Sequence, residues 1–230
     1  MPVINLFPLT ILQEKISLDK NIKNEMVKEV QSMVNKSKNE SYQSTNNSWT
    51  GDTQGFEYIC RNEKFKSLFQ EIKKKIINYL NILKVDENLI DIYITRSWAT
   101  LSDGDQKIDK HKHLQSHISF AYYLKKNEKD SNIIFYDDHY RNEFIPALFT
   151  SKTLRERKIV KETNILNTPT VDISVNEDDI VIFPSKTAHG TQKNKNNDER
   201  ISISGDIVCV AKNSELLEHI MPPINNWDKL

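Results

Sequence analysis

The 230-residue sequence predicts an α+β fold, with helices first and a sandwich or barrel of short strands after them. Before residue 85, apolar residues recur every three or four positions in two stretches. Beyond it they alternate with polar residues, and turn-forming residues separate the alternating runs.

In the first stretch, 19–36, Ile22, Met26, Val27, Val30, Met33 and Val34 fall on one helical face, and Ser17 or Asp19 can cap its start. Residues 37–53 are rich in Ser, Asn and Thr around Trp49 and read as a loop. The second helix pattern, 64–83, runs through Phe65, Leu68, Phe69, Ile72, Ile76, Ile77 and Leu80. Its Lys73, Lys74 and Lys75 read as a solvated face. From Ile90 the period becomes two, through Ile92, Ile94, Arg96, Trp98 and Thr100. Further strands are expected at 118–124, 133–136, 171–175, 179–183 and 200–210. In the last of these, Ile201, Ile203, Gly205, Ile207 and Cys209 alternate with Ser202, Ser204, Asp206 and Val208. Segment 137–170 is long, charged and weakly patterned, which marks either a functional loop or an insertion. No repeat or internal boundary is visible, so 1–230 reads as one domain, with 1–85 mainly helical and 86–212 the strand core.

The composition excludes several classes. Lys and Arg number 32, as do Asp and Glu, so there is no basic surplus for a general polyanion binder and nucleic acid is not indicated. The 2 cysteines, Cys60 and Cys209, are too few for a disulfide scaffold or a Cys-rich zinc module. The 5 glycines form no phosphate-binding loop motif. The first residues lack the basic start and long apolar run of a secretory signal, and no stretch approaches the roughly 20 apolar residues of a membrane span. A cytoplasmic protein without a membrane partner is expected, and the Asn-x-Ser triplets at Asn35, Asn39 and Asn46 read as chance.

The 6 histidines are unevenly spread. His111, His113 and His117 are close neighbours, His189 follows an apolar strand, and His139 and His219 are isolated. On a strand, i and i+2 share a face, so His111 and His113 can reach one metal ion. A third imidazole, from His189, would close a facial triad with open positions. His117, His139 and His219 read as packing or surface residues.

The stretch from His111 to Leu124, HKHLQSHISFAYYL, resembles the pattern H-x-H-P-x-S-x-x-S-G-V-Y-Y-L of 2-oxoglutarate/Fe(II)-dependent oxygenases, many of them bacterial or from tailed phages. Downstream, SNIIFYD from Ser131, DDIVIFPS from Asp178 with His189 beyond it, and RISIS from Arg200 resemble further motifs of that family, in the same order. NLFPL from Asn5 resembles the family's start, so the likeness covers most of the chain. The chain departs from the pattern at Leu114 for Pro, Phe120-Ala121 for Gly-Val, and Gly205-Asp206 for Phe-Asn.

The resemblance implies a double-stranded β-helix, or jelly-roll, with helices packed against one sheet and Fe(II) in its mouth. It implies His111, His113 and His189 as metal ligands, and 2-oxoglutarate and O2 as cosubstrates. Arg200 would grip the distal carboxylate of 2-oxoglutarate, because a guanidinium binds a carboxylate in two places, and Ser202 on the same face could donate a hydroxyl. Tyr122 and Tyr123 point to opposite faces. One enters the cosubstrate pocket, here assigned to Tyr122, and the other is core. No further catalytic residue is expected beyond the metal centre. Most of the superfamily places a carboxylate at the second ligand position, so Asp109 or Asp137 is the alternative to His113.

The implied activity is hydroxylation of a small-molecule or protein substrate. The rivals are a three-His dioxygenase that needs no 2-oxoglutarate, and a non-enzymatic jelly-roll binding module. Segments 37–53 and 137–170 are candidates for covering the mouth. Arg141, Arg155, Arg157 and Lys158 make the second basic, which suits an anionic substrate or a solvated loop equally. Oligomeric state is left open, with a homodimer as one candidate.

Overall fold

The computed structural model describes residues 2–37, 47–194, 198–213, 215 and 217–230. Most of the loop expected at 37–53 and the triplets at Asn39 and Asn46 lie outside the described residues.

Both expected helices form. Helix α1 (Lys20–Lys36) starts at Asp19, whose carboxylate accepts from the Asn21 N–H at 2.7 Å, and it buries Met26, Val30 and Met33. Helix α2 (Lys66–Ile82) follows a short 3-10 turn capped by Asn62. It buries Leu68, Ile72, Ile76, Tyr79 and Leu80, the spacing of one helical stripe. Its lysine face is turned outward: Lys74 pairs with Glu71, and Lys75 with Glu14.

Among the described residues nine strands, two of them ahead of α2, form two antiparallel sheets, the framework of a double-stranded β-helix. They are β1 (Leu12–Lys15), β2 (Trp49–Thr50), β3 (Ile90–Ser102), β4 (Ile118–Lys125), β5 (Ile133–Tyr136), β6 (Thr170–Ile173), β7 (Asp179–Pro184), β8 (His189–Thr191) and β9 (Arg200–Ala211). The larger sheet runs β1-β7-β4-β9-β3-β2 and the smaller β6-β5-β8. A short helix α3 (Lys152–Glu156) interrupts segment 137–170. Strands β1, β2 and β8 are too short for a period to register in sequence, so they were not expected.

The large sheet has two buried faces. Ile118, Phe120, Tyr122 and Leu124 of β4, with Ile180 and Ile182 of β7 and Ile201, Ile203 and Ile207 of β9, pack on the helices in one core. On the other face, Tyr123, Val181 and Phe183 meet Ile133 and Phe135 of the small sheet. Cys60 and Cys209 are free thiols. No helix among the described residues is long and apolar enough to cross a membrane.

Two departures from the family pattern turn out to be one exchange. Phe120 and Gly205 are direct cross-strand partners. A Cβ on residue 205 would lie 2.7 Å from the Phe120 ring, so the large side chain on β4 requires the glycine on β9.

Candidate metal centre

The site is built where the 108–117 segment crosses β8. His111 and His189 form an antiparallel bridge, with His111 N–H donating to the His189 carbonyl at 2.9 Å and His189 N–H returning the bond at 3.0 Å. His113 N–H donates to the Ser185 carbonyl at 3.0 Å. The His-x-His pair was expected on a regular strand. Instead an isolated bridge holds it just ahead of β4, and the pairing partner is the third histidine itself. Gly190 permits the close approach: a Cβ there would sit 2.9 Å from the Ile108 carbonyl oxygen.

The imidazoles of His111, His113 and His189 converge, with one ligand atom from each lying within 4.8 Å of the others. It is the metal-capable cluster found among the described residues. Each ring is oriented through Nδ1. His111 Nδ1 lies 2.8 Å from the Asp109 carbonyl, His189 Nδ1 2.9 Å from the Thr187 carbonyl, and His113 Nδ1 2.6 Å from Asp206 Oδ1. Carbonyls and carboxylates only accept, so each Nδ1 carries the proton and each Nε2 is left with its lone pair. Burial, then the neighbouring His111, pushes His189 down to about 3, and burial lowers His111 as well. Both rings are therefore neutral at physiological pH, the state a ligand needs.

The two carboxylates held as alternatives do not join the triad. Asp109 is mostly exposed and pairs with Lys107 at 2.6 Å. Asp137 accepts from the His139 N–H at 2.8 Å. The carboxylate that does reach the centre is Asp206, fully buried behind His113. Burial raises its pKa, but the hydrogen bond and electrostatic pull of the His113 ring, with the Ser119 hydroxyl, outweigh that and hold it below the usual range. The sequence marks Asp206 only as a departure from a motif. His117, His139 and His219 are exposed and outside the cluster.

A cavity of about 390 Å³ opens from the triad along the polar face of β9, past Ser204 and Ser202 to Arg200. Arg200 is 3% exposed, and its buried Nε has no hydrogen-bond partner among the described residues. A buried guanidinium N–H without a partner is costly unless a ligand completes it. Three imidazoles at one end and this cation at the other fit a metal ion and a dicarboxylate bridging the two.

The tyrosine assignment needs correcting. Tyr122 points to the helix-side core and donates to Asp178 at 2.8 Å, while Tyr123 lines the cavity. Ser119, Ala121 and Tyr123 share the cavity face of β4, and Tyr122 is out of phase with them. The Arg200 Cζ lies 5.3 Å from the Tyr123 ring centroid.

At the mouth, Trp98 stacks on His113 with centroids 5.5 Å apart, and Arg96 lies over the other face of Trp98 while pairing with Asp52 at 2.5 Å. The basic residues of segment 137–170 turn away from this chemistry. Arg141 donates to the Phe7 carbonyl, and Arg155 to the Phe149 carbonyl. The segment's nearest tie to the metal strand is Asp138, which pairs with Lys110 and Lys112 at 2.6 Å each.

Fold and site together define a double-stranded β-helix protein with a facial set of imidazoles. Residues 96–206 match the family described as "Putative 2OG-Fe(II) oxygenase", and that segment contains the triad, Arg200, Ser202 and Asp206. That segment, just under half of the chain, is thus similar to the 2-oxoglutarate/Fe(II) oxygenases. No curated protein matches.

Solved structures share the fold at low identity. AviO1 from Streptomyces viridochromogenes is 10% identical with a TM-score of 0.55, covering 94% of this chain and 92% of that one. A prolyl-4-hydroxylase from Pseudomonas putida is 10% identical with a TM-score of 0.53, covering 87% and 92%. HygX from Streptomyces hygroscopicus, solved with nickel and 2-oxoglutarate, is 9% identical with a TM-score of 0.53, covering 93% and 92%.

Proposed function

We propose that this protein is an Fe(II)- and 2-oxoglutarate-dependent hydroxylase acting in the cytoplasm on a substrate that enters past Trp98 and Arg96. The observation that carries the reading is one cavity with three converging imidazoles at one end and a buried, incompletely bonded guanidinium at the other.

His111, His113 and His189 would hold the metal through Nε2. When bound, Fe(II) would couple the oxidative decarboxylation of 2-oxoglutarate by O2 to insertion of one oxygen atom into a substrate C–H bond, leaving succinate and CO2. The chain's own part is positioning. Arg200 supplies the charge that orients the distal carboxylate, and Ser202 lies beside it on the cavity face. Tyr123 and Phe183 wall the cosubstrate channel with apolar surface and exclude water. Trp98 covers one face of His113, so substrate approaches along the side lined by Asp52, Arg96 and Gln115.

The three-imidazole set also suits a dioxygenase that needs no 2-oxoglutarate, and Arg200 is what favours the first reading. Anaerobic titration with Fe(II) and 2-oxoglutarate tests it. A weak visible charge-transfer band is expected in the wild type and absent in His189→Ala. Fe(II) uptake with no band, and O2 consumption indifferent to 2-oxoglutarate, would favour the second. No metal uptake at all would leave only a binding module.

A further inference from the structure

A three-imidazole centre lacks the negative charge that a carboxylate ligand would give, and the structure places one carboxylate a single hydrogen bond away. Asp206 is 0% exposed. Its Oδ1 accepts from His113 Nδ1 at 2.6 Å and from Ser119 Oγ at 3.0 Å, and its Oδ2 from Gln115 Nε2 at 3.1 Å. Behind Ser119 the chain continues: Ser119 Oγ lies 2.8 Å from Ser185 Oγ, and Ser116 Oγ donates to Ser185 Oγ at 2.9 Å.

These bonds have one consistent direction. Ser116 gives its proton to Ser185, so Ser185 gives its own to Ser119, and Ser119 gives its own to the carboxylate. Every hydrogen points toward Asp206, as an anion requires. The serines and Gln115 are neutral, so among the described residues the one side chain on Asp206 able to carry positive charge is His113. A buried carboxylate bonded to an imidazole can act on a cation held at the other side of that ring. The free Nε2 of the same imidazole faces the place where His111 and His189 converge.

We propose that Asp206 is the charge-supplying positioning residue of the metal centre. It fixes the His113 tautomer and makes the ring a more electron-rich ligand, so three imidazoles and one carboxylate give the centre the same net charge as two imidazoles and a ligating carboxylate. The buried anion and the metal cation then compensate each other through His113. This inference rests on the metal-centre reading above.

The test is Asp206→Asn, whose amide oxygen can still accept from His113 while the charge is gone. Affinity for Co(II) alone and for Fe(II) alone would be measured anaerobically by chelator competition, and the Co(II) visible spectrum recorded. The melting temperature of the metal-free protein would be measured in parallel. Expected are a 10- to 100-fold weaker metal affinity, an altered Co(II) spectrum, and a metal-free variant that still folds and melts cooperatively. Ser119→Ala keeps the charge, and its affinity should stay within a few-fold of wild type.

Wild-type metal affinity in Asp206→Asn would overturn the proposal. So would a metal-free variant that fails to fold, since that would make the carboxylate a structural group. If wild type itself takes up neither metal, the oxygenase reading fails and carries this inference with it, an outcome distinct from both.

Discussion

Alternate residues of β9 do opposite work. Ile201 and Ile203 face the helices and are fully buried in an apolar core. Arg200 and Ser202, one position out of phase, are almost as buried but line the cavity between the sheets, and Asp206 on the same face lies behind His113. On the first face every contact is made within the chain. On the second, a guanidinium N–H is left unsatisfied and a buried carboxylate is bonded to an imidazole of the metal-capable cluster. A face that is complete without a ligand should respond to mutation in stability, and an incomplete one in binding.

The largest contrast should come from Arg200→Ala. Losing a buried charge-assisted pair costs about 2–5 kcal/mol of binding, so half-saturation by 2-oxoglutarate should rise at least about 30-fold. The metal-free melting temperature should not fall, because an under-bonded buried cation has been removed. A large drop in that temperature with unchanged cosubstrate affinity would reverse the assignment of this face.

Ile203→Ala should show the opposite split. Removing a fully buried isoleucine side chain against α1 and α2 costs about 2–5 kcal/mol, readable as a lower urea midpoint at unchanged slope. The folded fraction should bind 2-oxoglutarate as wild type does. If cosubstrate affinity fell as well, the two faces would be mechanically coupled through β9.

The same strand explains how far the sequence could be read. The period-two pattern of 200–210 locates the strand and separates its faces, but an alternating polar residue has the same signature whether it meets solvent or a second sheet. The covering sheet is made partly of β8, three residues long, whose pairing with His111 no local period reveals. His111, His113, His189 and Arg200 were legible because motif order brought them together. Tyr123 was missed because alternation gives two phases and does not say which one faces the cavity. Asp206 was missed because its meaning depends on His113, 93 residues earlier. Gly190 and Gly205 carry no sign of the carbonyl and the ring that require them.

Acidification gives the gentlest probe of the difference, and its sign follows from His189. Burial holds this imidazole at about 3 in the folded metal-free protein, against an ordinary 6.5. Between those values the unfolded chain binds a proton that the folded chain refuses, so stability must fall as pH falls through this window. The slope is about 1.4 kcal/mol per pH unit for one such group, and the lowered His111 adds in the same direction. From pH 6.5 to 5, before most carboxylates titrate, metal-free protein should lose urea stability, and His189→Gln should lose less. Metal-loaded protein should hold its stability longer and then lose it more steeply, since protons must displace the ion. The helix-facing residues of β9 have no ionisable group to respond, so a flat profile in this range would mean that the cavity face, too, is complete without its ligand.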